Sequence, residues 1–289
     1  MKCLLFGAKG YIGRHLKATL LAEGHEVCEP QYKKIDNIDL SDKGVLQDID
    51  WDVDCVYLFA GSTGTSASFE EYSDFVKGNE LILLNILDSI RRSGFRPKLI
   101  YPSSRLVYKG SQFELLEDSP LEAKTVYAAS KIACEYYLES YSNAYDIPYV
   151  VYRIGVPYGN LIGENYSYGT IGHFISKAMQ GKSITLYGDG LLRRSFTHID
   201  DLCRLIVLSS NDKSIINTIF NMPGEDMSLR EIAEMLGNRT GVQIECIEWP
   251  EFDLRIESGN TVFDGTKLLN ILNTNLKKNM CSWISGLRL

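Results

Sequence analysis

Three glycines spaced three apart, set directly behind an N-terminal apolar run, constrain this chain more than any other feature. The segment LLFGAKGYIGRHL (4–16) places Gly7, Gly10 and Gly13 between the run KCLLF and a helix predicted over residues 11–23. A strand that turns sharply into a helix needs glycine for three separate reasons: a tight turn, a backbone surface that a ligand can approach closely, and close packing of helix on sheet. The helix N-terminus behind such a turn offers unpaired N–H groups and the positive end of a dipole, which suits a pyrophosphate. Glycine spacing alone is a weak signal in a chain with 24 glycines; its place between strand and helix makes it a strong one.

The rest of the first half supports the same architecture. HEVCE, CVYLFA, KLIYP and PYVVYRI read as further strands. Between them, residues 72–93 are predicted to form one long helix with Leu81, Leu84, Leu87 and Ile90 on its apolar face, and residues 125–145 another. Strands alternating with helices imply an α/β fold with a doubly wound parallel sheet. Past about residue 155 the pattern loosens, with a loop-like stretch at 160–172, a strand SITLYG, a helix HIDDLCRLIVL and a short strand IFNM. Ser228 and Glu231 make a capping box that opens a further helix. The expected division is a dinucleotide-binding domain over 1–155, with 184–210 returning to it, and a smaller C-terminal substrate-binding lobe made mainly of 156–289.

Composition narrows the function. With 45% hydrophobic and 23% charged residues the chain can bury a sizeable core. Its net charge of −7 argues against a nucleic-acid partner, which calls for a basic field. Seven scattered cysteines without a CxxC pair read as free thiols of a reducing compartment. Four histidines without an HxxxH pair make a metal site unexpected. No run of about 18 apolar residues is present to span a membrane, and MKCLLFG is too short for a signal peptide. The expected location is the cytoplasm, with no membrane partner; the sequons at Asn165 and Asn238 are then chance matches.

The chemistry points to Tyr127 and Lys131, which form a YxxxK pair in VYAASKIACEYYL. Four residues apart on a helix they share a face, so the lysine ammonium favours the phenolate and draws the phenol towards a working pKa. A tyrosine tuned in this way takes a proton from a hydroxyl or returns one to a ketone. The strand KLIYPSS ends in Ser103 and Ser104, the latter 23 residues before Tyr127. Strand ends are where ligands collect in such sheets.

The GxxGxxG turn, the serine and the YxxxK pair together resemble the extended short-chain dehydrogenase/reductase family, of the sugar-nucleotide epimerase/dehydratase type that includes UDP-galactose 4-epimerase. The resemblance runs over nearly the whole chain. It implies a Rossmann domain, NAD or NADP as cofactor, a nucleotide-diphosphate sugar as substrate, and Ser104, Tyr127 and Lys131 as catalytic residues. Cofactor contacts are implied for Gly7, Lys9, Gly10, Tyr11, Ile12 and Gly13 in the turn, Asp39 and Leu40 beside the adenine, and Phe59, Ala60 and Gly61 in the LFAGS loop. Asn79, Ser103, Tyr127 and Lys131 complete that set. Substrate contacts are implied for Thr63, Ser104, Arg194 (in LYGDGLLRRSFTHIDD) and Arg255. The apolar helices 72–93 and 125–145 resemble a pair that forms a homodimer in the family.

Departures bear on the subclass. Where the family holds an acid for the adenosine ribose stands Gln31, followed by Lys33 and Lys34, which leaves NAD and NADP both open. Arg105 and Leu106 follow Ser104 where dehydratases of the family carry Asp-Glu, so a 4,6-dehydratase is not expected. Val156 replaces an asparagine, and Ser195 an aspartate, of the family pattern. The leading expectation is an epimerase acting by transient oxidation of a sugar hydroxyl. The alternatives are an NADPH-dependent 4-ketoreductase and, from another class, a non-catalytic cofactor sensor on the same fold.

Overall fold

A computed structural model describes residues 1–30, 39–159 and 169–287. The strands are β1 (Lys2–Phe6), β2 (Glu26–Cys28), β3 (Cys55–Leu58), β4 (Lys98–Ser104), β5 (Tyr149–Ile154), β6 (Val156–Tyr158), β7 (Ile184–Tyr187), β8 (Arg193–His198), β9 (Thr218–Asn221), β10 (Glu225–Ser228) and β11 (Ile244–Ile247). The helices are α1 (Tyr11–Ala22), α2 (Ala67–Glu70), α3 (Tyr72–Phe75), α4 (Ile82–Ser93), α5 (Val126–Tyr145), α6 (Gly169–Met179), α7 (Ile199–Asn211), α8 (Leu229–Thr240), α9 (Glu251–Ile256), α10 (Thr266–Ile271) and α11 (Met280–Gly286).

Six strands form one sheet in the order β2-β1-β3-β4-β5-β9, and every neighbouring pair is parallel. Successive side chains of a strand point to opposite faces, and the sequence supplies apolar residues for both. Cys3 and Leu5 of β1, Cys55 and Tyr57 of β3, and Val150 and Tyr152 of β5 pack with Leu16 and Leu20 of α1 and with Leu202, Leu205 and Ile206 of α7. Leu4, Phe6, Val56, Leu58, Tyr149 and Val151 face the other way, against Leu83, Ile86, Leu87 and Ile90 of α4 and Cys134 and Leu138 of α5. This double coverage explains why the strands read as unbroken apolar runs. The doubly wound α/β fold expected from the sequence is the one found.

The chain runs from β1 to β2 on one side and then crosses to β3 on the other. The loops behind β1 and β3 therefore part, and a crevice opens at the carboxyl ends of the strands, where ligands bind in sheets of this kind.

Residues 72–93 do not form one regular helix. Two short turns, α2 and α3, lead into a π-helical stretch over Val76–Leu81 before α4 begins. The stripe that packs is Leu83, Ile86, Leu87 and Ile90, at helical spacing. Leu81 is exposed and Leu84 half-buried, so the apolar face expected through those two is displaced. The wide turn has a specific content: it carries the buried Asn79.

The second lobe is woven from later segments. β10-β8-β6 and β11-β7 form two small sheets, and Phe174, Ile175, Phe196, Ile232, Leu236 and Met280 share their core. The Glu225 carboxylate ties this lobe together, accepting from the Tyr158 hydroxyl and the Met280 N–H, each at 2.8 Å. Within residues 184–210, α7 packs on the large sheet, whereas β7 and β8 belong to the small ones. β9 adds the sixth strand, and Leu268 of α10 joins the α1–α7 side of the core.

Candidate active site

The glycine turn is forced by its surroundings. Gly7 has a φ of 85°, and a side chain there would meet the Phe59 and Ala60 backbone at 2.4 Å. A side chain at Gly13 would come within 2.0 Å of the Gly7 carbonyl. These two glycines join α1, β1 and the loop behind β3. Gly10, at the helix N-cap, lies on the wall of a cleft of about 250 Å³ together with Tyr11, Ile12 and Gly13. No side chain caps α1, and its first turn holds no acidic residue. An uncapped helix N-terminus facing a glycine-lined cleft fits a dinucleotide pyrophosphate. Gly7 stands behind the wall, and the Lys9 carbonyl accepts from Arg14 Nε at 2.7 Å.

The opposite wall is the loop after β3, with Phe59, Ala60, Gly61 and Thr63. Asn79 is buried beneath it. Its Oδ1 accepts from the Ser62 N–H at 3.1 Å, while its Nδ2 donates to the Ser62 carbonyl and to Ser130 Oγ, both at 3.2 Å. A side chain at Gly61 would meet Asn79 Oδ1 at 2.7 Å. Asn79 thus shapes the loop after β3 from behind and binds it to α5. Asp39 and Leu40 lie apart from the described cleft: the Asp39 carboxylate accepts from the Ser41 N–H and hydroxyl, and those bonds hold it below the usual carboxylate range. The buried Asn85, which no motif in the sequence marks, donates to the Leu40 and Ser41 carbonyls and holds that turn. Gln31, Lys33 and Lys34 lie outside the described residues.

The floor comes from β4 and α5. Thr125 caps α5 by accepting from the Ala128 N–H at 3.0 Å, which starts the helix so that Tyr127 and Lys131 both face the cleft. The Tyr127 ring rests edge-on against Phe75, centroids 6.1 Å apart. The Lys131 ammonium lies 5.8 Å from the centroid of the Tyr127 ring and donates to the Tyr101 hydroxyl at 3.1 Å and the Pro102 carbonyl at 2.8 Å. Burial pushes this lysine down from 10.5 to about 8. Ser104 lines the same cleft, its Oγ accepting from the Leu106 N–H at 3.2 Å. The structure therefore brings Ser104, Tyr127 and Lys131 onto one surface. Ser103 lines the cleft too, but its hydroxyl donates at 2.5 Å to Glu135. Glu135 is in turn clamped by the buried Arg153 through contacts of 3.1 and 2.6 Å. That network holds the end of β4 against α5.

The chain then opens into a second, larger cavity of about 760 Å³ between the lobes. Arg194 lines it, buried, donating to Glu257 Oε2 at 3.0 Å, while its Nε has no hydrogen-bond partner. Arg105, half-buried beside it, donates to Thr261 Oγ1 at 3.1 Å. Thr63, expected at the substrate, lines the same cleft as Ser104 and Tyr127. Arg255 is not brought to the cavity: its side chain is 71% exposed and pairs with Glu251 one turn earlier in α9. Ser195 is fully buried, its Oγ accepting from the Phe263 N–H at 2.7 Å, so this departure from the family pattern serves the packing of the lobe. Ser62, the last residue of the LFAGS loop, lines the cleft as well, and so do Pro102, Ile154, Gly155 and Pro157; no spacing rule in the sequence marks these four, because they reach it only through the sheet order. Among the described residues no group of three His, Cys, Asp or Glu is placed to hold a metal, and no helix is long and apolar enough to cross a membrane.

A glycine-lined dinucleotide cleft with a Ser-Tyr-Lys floor defines an enzyme of the extended short-chain dehydrogenase/reductase class. Residues 3–222 match the NAD dependent epimerase/dehydratase family, and the chain belongs to it. It is 27% identical to the UDP-glucose 4-epimerase of Corynebacterium glutamicum, over 83% of this chain and 81% of that one. It is also 27% identical to the UDP-glucuronate 4-epimerase of Thermodesulfobacterium geofontis, over 92% and 90%. Among solved structures, UDP-glucuronic acid 4-epimerase from Bacillus cereus, in complex with UDP-glucuronic acid and NAD, superposes with a TM-score of 0.84 at 24% identity, over 99% of this chain and 97% of that one.

Proposed function

We propose that this chain is an NAD-dependent sugar-nucleotide 4-epimerase that works by transient oxidation of the sugar's C4 hydroxyl. The observation that carries the reading is the junction of the two cavities: Ser104 lines the cofactor cleft with Tyr127 and Lys131, and the next residue lines the cavity that holds Arg194. The relatives' names, UDP-glucose and UDP-glucuronate 4-epimerase, support the same substrate class. When bound, NAD supplies the acceptance and return of a hydride. Tyr127 takes the C4 hydroxyl proton and later gives it back. The Lys131 ammonium beside it stabilises the phenolate. Ser104 holds the reacting oxygen, and Arg194 meets the diphosphate, whose oxygens its planar fork can engage pairwise. The keto sugar then presents its other face before the hydride returns.

In this reading residues 1–155 form the dinucleotide-binding domain and 156–289 mainly the substrate lobe. The cofactor contacts come from Gly10 to Gly13, Phe59 to Gly61 and Lys131. A homodimer through the segments 72–93 and 125–145 is supported by apolar residues they expose, among them Leu81 of the π-helical stretch and Tyr136 of α5. The cytoplasm is supported by seven cysteines, all unpaired.

The test is direct. Purified protein is denatured and any released dinucleotide is identified by mass, and separate samples are incubated with UDP-glucose, UDP-glucuronate and UDP-N-acetylglucosamine without added cofactor. Released NAD and appearance of a C4 epimer support the reading. An empty protein that consumes NADPH on a 4-keto sugar nucleotide overturns it in favour of a reductase.

A further inference from the structure

We propose that Arg105 is a specificity-determining residue that selects a carboxylate on the sugar, so that the substrate is a nucleotide-diphosphate uronate and not a neutral hexose. The inference rests on the sugar-nucleotide reading and adds the class of sugar. Its starting point is position. Arg105 follows Ser104 directly, and the Tyr127 side chain lies within electrostatic reach of its guanidinium. A sugar whose hydroxyl meets Ser104 and Tyr127 has its ring next to Arg105, while its diphosphate extends towards Arg194.

The charges make the case specific. Arg105 and Arg194 stand close enough to repel each other, and the carboxylate set against Arg194 is Glu257. Two guanidiniums therefore share the cavity wall with one acid at this point. The other acids of the cavity meet neutral donors and neither guanidinium: the Asp189 carboxylate accepts from the Leu191 N–H at 2.9 Å, and Asp253 from the Ser66 hydroxyl at 2.7 Å. Arg105 has one neutral partner, Thr261 Oγ1, and Arg194 Nε is buried with none. Arg194, buried, and Arg105, half-buried, share the single Glu257 carboxylate, and two guanidiniums set against one acid leave a positive excess that an anion would relieve. A diphosphate meets Arg194; a second anion on the Ser104 side meets Arg105. A neutral hydroxymethyl group there would leave the Arg105 guanidinium with only the Glu257 carboxylate, already paired with Arg194, to oppose its charge.

Binding of three ligands to the protein as purified, measured by calorimetry, separates the sources of negative charge: UDP, UDP-glucose and UDP-glucuronate. The wild type is expected to bind UDP-glucuronate more tightly than UDP-glucose. In Arg105→Leu the affinity for UDP-glucuronate should fall by about 10- to 100-fold, the range of one charge-assisted hydrogen bond, while UDP affinity holds. Arg105→Lys should retain part of the preference, and retained UDP binding shows that each variant is folded. An equal fall for all three ligands assigns Arg105 to the diphosphate and overturns the inference, as does a wild type without preference for the uronate. Failure of the wild type to bind UDP at all sinks the sugar-nucleotide reading itself, and this inference with it.

Discussion

Lys131 is expected to make the folded protein less stable than it would be without the charge, and the penalty should fade as pH rises. Its ammonium is buried on α5, and desolvation lowers it from 10.5 to about 8. That lowering corresponds to roughly 3 kcal/mol against the charged form at pH 7. The contacts the ammonium makes, to the Tyr101 hydroxyl, the Pro102 carbonyl and the Tyr101 ring 4.5 Å away, offset part of this, on the order of 2 kcal/mol together. Lys131→Met should therefore leave the protein as stable as the wild type or about 1 kcal/mol more so at pH 7, while removing turnover. The sign with pH comes from proton counts. Between the folded pKa of about 8 and the unfolded value near 10.5 the unfolded chain holds the proton that the folded one has released, so wild-type stability rises with pH. Relative to Lys131→Met, the wild type should gain about 2 kcal/mol between pH 7 and pH 9.5. Urea unfolding of both proteins across that range measures the difference, and other alkaline titrations cancel in it. A flat difference would refute a buried, desolvated ammonium at this position.

Three further outcomes are expected. Tyr127→Phe should fold with unchanged melting temperature within a few degrees and lose turnover by about 100-fold or more, the range of general acid–base catalysis, in the epimer assay. Gly13→Ala should destabilise by roughly 3 kcal/mol or more, read by thermal unfolding, because its new carbon lies 2.0 Å from the Gly7 carbonyl and the turn must move. Asn79→Ala should cost about 1–3 kcal/mol, since the Ser62 N–H and carbonyl lose their buried partner, and dinucleotide affinity, read by fluorescence titration, should fall with it.

The residues that chemistry restricts to one identity were legible in the sequence. Gly7 and Gly13 have no room for a side chain, and Tyr127 and Lys131 share a helix face because four residues separate them. The six-stranded sheet was legible through its apolar runs, because a strand covered on both faces leaves a continuous mark. The π-helical turn at Val76–Leu81 was hidden: it carries Asn79, whose side chain bonds a loop 17 residues earlier, and periodicity reports only local spacing. Arg255 fell near a motif by spacing, yet the turn of α9 directs it to solvent and to Glu251. Arg105 stands out in the sequence only as the absence of a dehydratase acid. Its proximity to Arg194, 89 positions on, comes through Thr261, whose hydroxyl accepts from Arg105 and whose backbone bridges to Arg194, a juxtaposition that no local pattern encodes.

A common electrostatic feature joins these elements. Lys131, Arg105 and Arg194 are each held below their ordinary values, chiefly by burial. The fold thus holds two buried cations, Lys131 and Arg194, and a half-buried one, Arg105, in a state that water would stabilise better. A ligand carrying several negative charges relieves that state, and what it relieves appears as affinity for the folded form alone. At 100 times its dissociation constant such a ligand adds about 2.7 kcal/mol to stability. The ligand-free enzyme is therefore expected to be weakest where it is most specific, at the segments that carry these cations: the end of β4, α5, and the Arg194 stretch of β8. A nucleotide-diphosphate sugar should protect the backbone amides of those segments from hydrogen exchange more than it protects the α1–α7 face of the sheet. Uniform protection over both would mean that these cations do not concentrate the instability, and that the site is no more strained than the core around it.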